Sequence, residues 1–252
     1  MTQLEKYLTQ FLEHLEIEKN RSQKTIKNYH FYLERFFDWG KINNPEDIDL
    51  EKIRQFRLYL NRFTNKKTGG LKKNTQNYHL IAIRSFLKYL AKRDIKTLGS
   101  EKIELAKIPE RMVEFLEGVD LEKILEAPLL TGEPEIIKKR DKAILELLFS
   151  TGLRVSELAN LKKENVNLEK DEFTVRGKGN KPRLVFLSHQ AKYCLKKYFE
   201  KRADLEPWIF LRHDRASKNP DKPLTPRSIQ RIVQRYAKVA GLTKKITPHT
   251  LR

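Results

Sequence analysis

The sequence predicts a mainly α-helical protein of two domains, the second of which contains one small antiparallel β-sheet. Apolar residues recur at helical spacing in four segments of the first 93 residues, and a polar stretch without that spacing follows them. Two short strand-like runs around a glycine-containing turn come later in the chain. The length of 252 residues suffices for one large domain or two ordinary ones. We therefore expect two domains, at residues 1–106 and 107–252.

Four amphipathic helices are predicted in the first domain, over about residues 4–15, 22–40, 50–63 and 75–92. Ser22 lies where a serine caps the N-terminus of the second helix, and Gly40 lies near its end. The fourth helix has apolar residues over most of its circumference, so we expect it at the centre of a compact antiparallel bundle. Residues 94–108 lose the helical pattern and are interpreted as a linker.

The second domain is predicted to be rich in helices, over about residues 120–126, 136–149, 190–202 and 228–240. Residues 173–176 and 184–187 are short β-type runs that flank a turn from Gly177 to Pro182, which predicts a β-hairpin. Tyr236 and Cys194 each lie at helical spacing with apolar neighbours, and both are interpreted as core residues.

The charge of the chain indicates a polyanionic partner. A formal net charge of +19 opposes compactness by self-repulsion, so nucleic acid is the leading partner. A Lys- and Glu-rich chain from a hot environment is the alternative, but it does not account for the excess of cations. A single cysteine excludes an internal disulfide framework and a cysteine-cluster metal site. The sequence has neither a signal-peptide pattern nor an apolar run of membrane-spanning length, so we expect a soluble, basic, cytoplasmic protein; binding to DNA would make it nucleoid-associated.

Basic and polar residues gather at the starts of two predicted helices of the first domain and along the last predicted helix. Hydroxyls, amides and backbone N–H groups at helix starts can contact phosphates, although ordinary capping beside solvated lysines explains them equally well one by one. The candidate DNA-binding residues are Ser22, Lys24, Thr25, Lys27, Lys72, Lys73, Asn74, Thr75, Arg84, Arg227, Arg231 and Arg235.

Arg154 follows a Thr-Gly turn and lies among apolar residues. An unpaired guanidinium in apolar surroundings is costly, so we expect Arg154 to have a partner. One interpretation is a structural pair with Glu157 or Asp141. The other is a phosphate, which the planar guanidinium fits in bidentate fashion.

Three further residues are candidates for the same chemistry. Lys178 lies at the tip of the predicted hairpin, where glycines permit a sharp turn. His249 and Arg252 are three residues apart after Pro248, and they share a face if a helix begins there. Taken singly, a basic hairpin tip is usually solvated, a lone histidine is usually structural and a terminal arginine is usually exposed. Together with Arg154, in a strongly basic chain, they favour one shared function.

The segments TGLRVSEL, RGKGNKPRLVFL and ITPHTLR resemble the signature segments of the tyrosine recombinase (phage integrase) family, closest to its Xer type. Ser22, Thr25 and Tyr29 are similar to an SxxTxxxY pattern of the family's N-terminal domain. The resemblance spans nearly the whole chain. It implies a four-helix core-binding (SAM-like) domain and an α-rich catalytic domain that together clamp duplex DNA. It also implies strand breakage and rejoining through a covalent 3′-phosphotyrosyl intermediate, without a metal or a cofactor, in a homo- or hetero-tetramer on DNA.

The resemblance assigns catalytic roles to four residues, Arg154, Lys178, His249 and Arg252. The two arginines would stabilise charge on the non-bridging phosphate oxygens, a kind of interaction typically worth about 3–4 kcal/mol each. His249 would assist proton transfer at the nucleophile or the phosphate. Lys178 would protonate the 5′-hydroxyl leaving group.

The chain departs from the family pattern after Arg252. In the family this arginine is followed by a helix, a second His or Trp after a Leu-Gly pair, and the nucleophilic tyrosine; none of the nine tyrosines here has that context. We therefore expect a truncated, monomeric recombinase that does not cleave DNA alone. The alternatives are a non-catalytic DNA-binding module and an unrelated basic helical protein that binds nucleic acid.

Overall fold

A computed structural model gives the fold of the chain and describes residues 2–65, 69–109, 116–177, 181–213 and 222–251. The chain divides into two compact units, residues 1–111 and 112–252. Within the described ranges the secondary structure consists of nine α-helices, a few single turns of 3-10 helix and two small antiparallel sheets of two strands each. The predicted fold class, mainly α-helical with a small β-sheet in the second part, is confirmed.

The first unit is a bundle of four helices: α1 (Gln3–Ile17), α2 (Gln23–Gly40), α3 (Leu50–Arg62) and α4 (Lys73–Ala91). Each predicted helix is present within two residues of its expected bounds. Ser22 caps α2 as predicted, because its hydroxyl accepts the backbone N–H of Thr25 at 3.3 Å. The fourth helix contacts the other three and buries residues on most of its circumference, which confirms its central position.

Two connections of the first unit differ from the prediction. The loop between α3 and α4 contains a short ribbon of β1 (Thr64–Asn65) and β2 (Gly69–Gly70). The predicted linker is wrong over residues 95–106, because Ile103 is buried in the core of the first unit and the Asn77 side chain exchanges two hydrogen bonds with the backbone of Ala106. A segment without helical periodicity can still pack when isolated apolar residues fit an existing core.

The second unit contains α5 (Gly118–Glu126), α6 (Glu135–Thr151), α7 (Val155–Ala159), β3 (Glu172–Arg176), β4 (Pro182–Phe186), α8 (His189–Phe199) and α9 (Pro226–Val239). Strands β3 and β4 form the predicted hairpin, in which Phe173 pairs with Val185. Helix α6 packs against α5, α8 and α9, and its residues from Ala143 to Leu148 are buried. It therefore forms the centre of the second core.

Tyr236 and Cys194 are core residues, as predicted. The Tyr236 hydroxyl donates to Oδ2 of Asp141 at 2.9 Å, and Asp141 in turn is paired with Arg140 at 2.7 Å. Burial is also the main reason why the pKa of the Cys194 thiol is raised to about 11. The core of the second unit therefore includes a buried Arg140–Asp141 ion pair whose carboxylate also accepts a hydrogen bond from Tyr236.

The helices in the described ranges include none that is both long and apolar enough to span a lipid bilayer. In the same ranges, His, Cys, Asp and Glu side chains do not form a group of three or more that could hold a metal ion.

Candidate active site

Arg154 is placed by the end of α6 and the start of α7. Helix α6 ends at Thr151 and is capped by Gly152, whose φ of 58° is in the left-handed region that glycine adopts without strain; the N–H of Gly152 donates to the carbonyl of Leu148 at 3.1 Å. Leu153 and Val155 then pack into the core on either side of Arg154. The backbone of Arg154 is therefore fixed, while its side chain points away from the core.

The Arg154 guanidinium is paired with Glu157. Nη1 of Arg154 donates to Oε1 of Glu157 at 2.8 Å, and the backbone N–H of Arg154 donates to Oε2 at 2.8 Å. Of the partners considered from the sequence, Glu157 is therefore correct. Asp141 is wrong as a partner, because it is buried and paired with Arg140. The expected burial of Arg154 is also wrong: its side chain is 45% exposed, because the apolar neighbours occupy the core without covering it.

Glu157 is the centre of a larger cluster, which we call the Arg154 cluster and which consists of Arg154, Glu157, Arg183 and Gly177. The Glu157 side chain is only 8% exposed, and its Oε2 also accepts a hydrogen bond from Nη2 of Arg183 at 2.8 Å. Burial raises the pKa of Glu157, but the hydrogen bonds from the two arginines outweigh that effect and lower it. Glu157 is therefore held as a carboxylate between two guanidinium groups.

The β3–β4 hairpin contributes Arg183 and Gly177 to this cluster. A methyl group added to Gly177 would lie 3.3 Å from Nη1 of Arg154 and 3.5 Å from Oε1 of Glu157, so the chain directly after β3 passes close to the ion pair and leaves no room for a larger residue without a shift. The N–H of Gly177 donates to the carbonyl of Lys181 at 2.9 Å and closes the hairpin. Lys178, the predicted leaving-group acid, lies outside the described residues.

His249 lies in a turn near the end of the chain. The backbone N–H of Thr247 donates to Oγ1 of Thr250 at 2.7 Å, and a backbone hydrogen bond from Thr250 to Thr247 closes the turn. Ile246 and Leu251 are buried in the second core, whereas the His249 side chain is exposed. The helix considered for this segment is absent over residues 248–250, where the structure has a turn. In the part of the chain that the structure describes, neither a hydrogen bond nor an ion pair joins His249 to Arg154, and Arg252 lies outside that part.

The candidate DNA-binding residues of the first unit lie at the starts of α2 and α4, as the sequence indicated, except Arg84, which lies in the middle of α4. Lys24, Lys27, Lys72 and Asn74 are exposed, and neither α2 nor α4 has an acidic residue in its first turn. Four others have local partners: the Ser22 and Thr25 hydroxyls lie 2.9 Å apart, Lys73 donates to Asn61, and the Thr75 carbonyl accepts from His79. Arg84 is half-buried.

The polar side of α9 forms a basic groove together with the residues that follow the helix. Arg231, Arg235, Lys238, Lys244 and Lys245 line a cavity of about 680 Å³. Arg227 donates to Gln230 at 3.3 Å, and Arg235 is ion-paired with Glu133. Sequence reasoning missed the two lysines of this groove, although the charged pair after a predicted helix end was a usable signal.

Comparisons with known proteins agree with this architecture. Residues 114–252 match the phage integrase family, and residues 8–94 match the phage integrase N-terminal SAM-like domain. A tyrosine recombinase XerC from Thermodesulfovibrio yellowstonii is 37% identical over 256 residues, which cover 100% of this chain and 82% of the relative. A tyrosine recombinase XerA from Pyrococcus horikoshii is 32% identical over 246 residues, covering 97% of this chain and 76% of the relative.

Two solved structures show the same fold. The XerH site-specific recombinase bound to its difH substrate superposes with a TM-score of 0.68 at 23% identity, covering 97% of this chain and 70% of that chain. A lambda integrase dimer bound to a COC′ core site superposes with a TM-score of 0.71 at 20% identity, covering 100% of this chain and 87% of that chain.

Both units are helical, and their exposed cations, at the helix starts and at Arg154, are of a kind that can donate to phosphates. The fold and the site therefore define a class of helical proteins suited to contact phosphates. Within this class, the family match over more than half of the chain and the identity to the relatives are decisive. The chain belongs to the phage integrase family of tyrosine recombinases.

Proposed function

We propose that this chain is a site-specific DNA recombinase of the Xer type, which binds duplex DNA in the cytoplasm. With the family's nucleophilic tyrosine, it would break and rejoin strands through a 3′-phosphotyrosyl intermediate. The observation that supports this most directly is the Arg154 guanidinium, which Glu157 holds on one side while 45% of the side chain stays exposed. A cation fixed in this way donates to a phosphate with little reorganisation, which is the main source of electrostatic catalysis.

In the proposed reaction, the tyrosine oxygen attacks the scissile phosphorus and the 5′-oxygen leaves, while negative charge grows on the non-bridging oxygens. Arg154 and Arg252 would stabilise that charge, and Lys178 would give the 5′-oxygen its proton. His249 is exposed on a fixed turn and would move a proton at the phosphate or the nucleophile. The roles of Lys178 and Arg252 rest on the family motif alone.

We also propose that the 252-residue chain does not cleave DNA by itself, because none of its tyrosines has the family's context. Tyr198 and Tyr236 are fully buried, and burial raises the pKa of Tyr198 to about 12. A suicide substrate, which traps the covalent intermediate, should therefore yield no protein–DNA adduct on a denaturing gel. An adduct would overturn the proposal, and Tyr193→Phe would then show whether the exposed tyrosine of α8 had formed it.

The phosphate role of Arg154 is tested in a version of the chain extended through the family's tyrosine. Arg154→Ala should slow strand cleavage by about 10²–10³-fold, the usual loss when a fixed donor to a developing anion is removed. The matched control is Lys196→Ala, which removes an exposed cation paired with Glu169 at 3.1 Å in the same unit. The control should cleave within about twofold of the unsubstituted protein, since exposed pairs contribute little. Undiminished cleavage by Arg154→Ala would refute the phosphate role.

For duplex binding we propose contacts from the starts of α2 and α4 and from α9, with α9 in a major groove as the main source of sequence preference. The exposed lysines at α2 and α4 support this, because positive charge and free N–H groups at a helix N-terminus attract phosphates. Affinity should fall steeply as salt rises, because each phosphate contact releases counterions. An affinity that stays unchanged between low and moderate salt would contradict the proposal.

Two substitutions separate the proposed surfaces. Lys27→Ala should weaken binding to all duplexes alike and flatten the salt dependence, as expected for a phosphate contact. Arg231→Ala should reduce the preference for the target sequence more than the affinity for random DNA. Equal effects of both variants on target and random duplexes would argue against α9 as the source of specificity.

We propose that residues 1–106 form the DNA-clamp domain and residues 107–252 the catalytic domain. The packing of Ile103 and Ala106 on the first core supports the position of this boundary. Limited proteolysis should therefore cut between residues 106 and 118 before it cuts either domain internally. Early cleavage on the N-terminal side of Ile103 would place the boundary elsewhere.

A further inference from the structure

Arg183 occupies an unexpected position in the β3–β4 hairpin. Phe173 and Val175 of β3 are buried, and Arg183 lies directly opposite Val175 on β4, two residues before the buried Val185. Because side chains alternate along a strand, Arg183 shares the core-facing side with these apolar residues. The Arg183 side chain is 34% exposed, so its charge reaches solvent, but the donors on its inner side need polar partners.

The Arg183 guanidinium contacts the chain on both sides of Arg154. Its Nη2 donates to Oε2 of Glu157 at 2.8 Å and also lies 3.5 Å from the carbonyl oxygen of Gly152. Its Nε is buried and has no hydrogen-bond partner among the described residues. A buried donor without a partner lowers stability, so packing alone does not explain an arginine at this position.

The two oxygens of Glu157 have different partners in this arrangement. Oε1 accepts from the guanidinium of Arg154, while Oε2 accepts from the Arg154 backbone and from Arg183. Arg183 therefore limits rotation of the carboxylate that holds the Arg154 guanidinium. The backbone of Gly177, in the same hairpin, also passes close to the ion pair. Strand β4 thus supports Arg154 through Glu157, and the chain after β3 borders the same ion pair.

We propose that Arg183 is a positioning residue for strand cleavage: it fixes Glu157, which in turn fixes Arg154 against the scissile phosphate. Through this contact strand β4 is coupled to the arginine that would stabilise the transition state. The inference rests on the proposed function, and it assigns Arg183 no contact with DNA.

The test uses the version of the chain extended through the family's tyrosine and a suicide DNA substrate. Arg183→Gln should lower the cleavage rate constant at saturating DNA by about 10–100-fold, because a small misplacement of a catalytic group has effects of this size. The dissociation constant for DNA should change by less than about threefold, since a group that acts only on the transition state does not alter ground-state binding. Arg183→Lys, which keeps one donor to Glu157, should recover part of the rate.

The matched control is Lys192→Gln. Lys192 is a mostly buried cation of α8 that pairs with Asp171, the residue before β3, and this partner is outside the Arg154 cluster. The Lys192→Gln variant should lose an ion pair and some thermal stability, but each folded molecule should cleave DNA at the unsubstituted rate. Equal slowing by Lys192→Gln and Arg183→Gln would mean that general loosening of the hairpin is responsible, and it would overturn the proposal.

A double-mutant cycle with Glu157→Gln tests the mechanism of the effect. If Arg183 acts through Glu157, the double variant should cleave about as fast as the slower single variant, because removing either residue breaks the same support. Additive losses would overturn the proposal. If Arg183→Gln lowered the affinity for DNA and left the cleavage rate constant unchanged, the proposal would also be overturned, because Arg183 would then be a phosphate contact.

Failure of the inference is distinguishable from failure of the proposed function. If Arg154→Ala cleaves normally, the proposed function of the site is wrong. If Arg154→Ala is impaired and Arg183→Gln cleaves at the unsubstituted rate, only the positioning role is wrong.

Discussion

Two arginines of the second unit, Arg140 and Arg154, both form ion pairs, but their surroundings differ. The Arg140 side chain is 7% exposed, and it donates to Asp141 and to the backbone carbonyls of Leu211 and Arg212. The Arg154 side chain is 45% exposed and donates to one carboxylate, that of Glu157, within the described residues. Each of the three guanidinium nitrogens of Arg140 therefore has a protein partner, whereas Arg154 keeps donors that face solvent.

The difference shows that an ion pair alone does not distinguish a structural arginine from a functional one. Breaking a buried pair leaves a charge without solvent or partner, so a residue such as Arg140 contributes mainly to stability. A half-exposed pair contributes little to stability, and its free donors remain available to a phosphate. Arg154 is thus suited to bind an anion, because it pairs with one carboxylate on one side of the guanidinium and its other donors stay accessible.

The largest expected effect concerns stability. Arg140→Gln should lower the free energy of unfolding by about 3–5 kcal/mol, because it leaves the Asp141 carboxylate buried without its cation. Arg154→Gln should lower it by less than about 1 kcal/mol. Urea denaturation in a Trp39→Phe background, followed by the fluorescence of Trp208, reports on the second unit, since these are the two tryptophans of the chain. Equal losses of unfolding free energy in the two variants would show that burial does not distinguish the contributions of Arg140 and Arg154 to stability.

The labelling rate of the single cysteine, Cys194, offers a second measurement of the difference between Arg140 and Arg154 in stability. Burial raises the pKa of Cys194 to about 11, so at pH 8 the native thiol is protonated and shielded, and labelling requires opening of the core. We expect a thiol reagent to label Arg140→Gln at least about 100-fold faster than the unsubstituted chain, and Arg154→Gln within about threefold of it. Mass spectrometry gives the rates, and the urea-unfolded chain provides the upper limit. Similar acceleration in both variants would contradict the assignment of Arg140 to the core.

Tyr236→Phe should have an intermediate effect. It removes the hydrogen bond that the hydroxyl donates to the Asp141 carboxylate at 2.9 Å, and a hydrogen bond to a charged group is worth about 1.5–3 kcal/mol. The control is Tyr193→Phe, because that side chain is exposed and its replacement should change stability by less than about 0.5 kcal/mol. Both are measured by urea denaturation. If Tyr236→Phe were as mild as the control, the buried network would not hold Asp141 in the way described.

The smallest expected effect is the pH dependence of the Arg154 cluster. Burial opposes ionisation of Glu157, but hydrogen bonds from Arg154 and Arg183 bring its folded pKa below the ordinary value of 4.5. A carboxyl with a depressed pKa adds stability above its unfolded pKa and loses it as pH falls through the folded pKa. The stability difference between the unsubstituted chain and Glu157→Gln, about 1 kcal/mol or less, should therefore be constant from pH 8 to about 5.5 and disappear in more acid solution. A difference that grows toward acid pH would show that Glu157 is not held as a carboxylate.

Most of the fold followed from local sequence patterns. The four helices of the first unit, the cap at Ser22, the β3–β4 hairpin and the burial of Tyr236 were all predicted, because periodicity and capping depend on residues within a few positions of each other. The packing of residues 95–106 was not predicted. The hydrogen bonds between Asn77 and Ala106 join residues 29 positions apart, and no local pattern relates them.

For the candidate site, the sequence by itself determined which residue types are present: Arg154 after a tight turn, a basic hairpin, and His249 in a family motif. Only the tertiary structure decided that Arg154 is half-exposed and that Arg183, 26 residues beyond Glu157, completes its support. Local spacing fixes which side of a helix or strand a residue occupies. Exposure and ion-pair partners depend on which surfaces meet when distant segments pack, and that is settled only when the whole core forms.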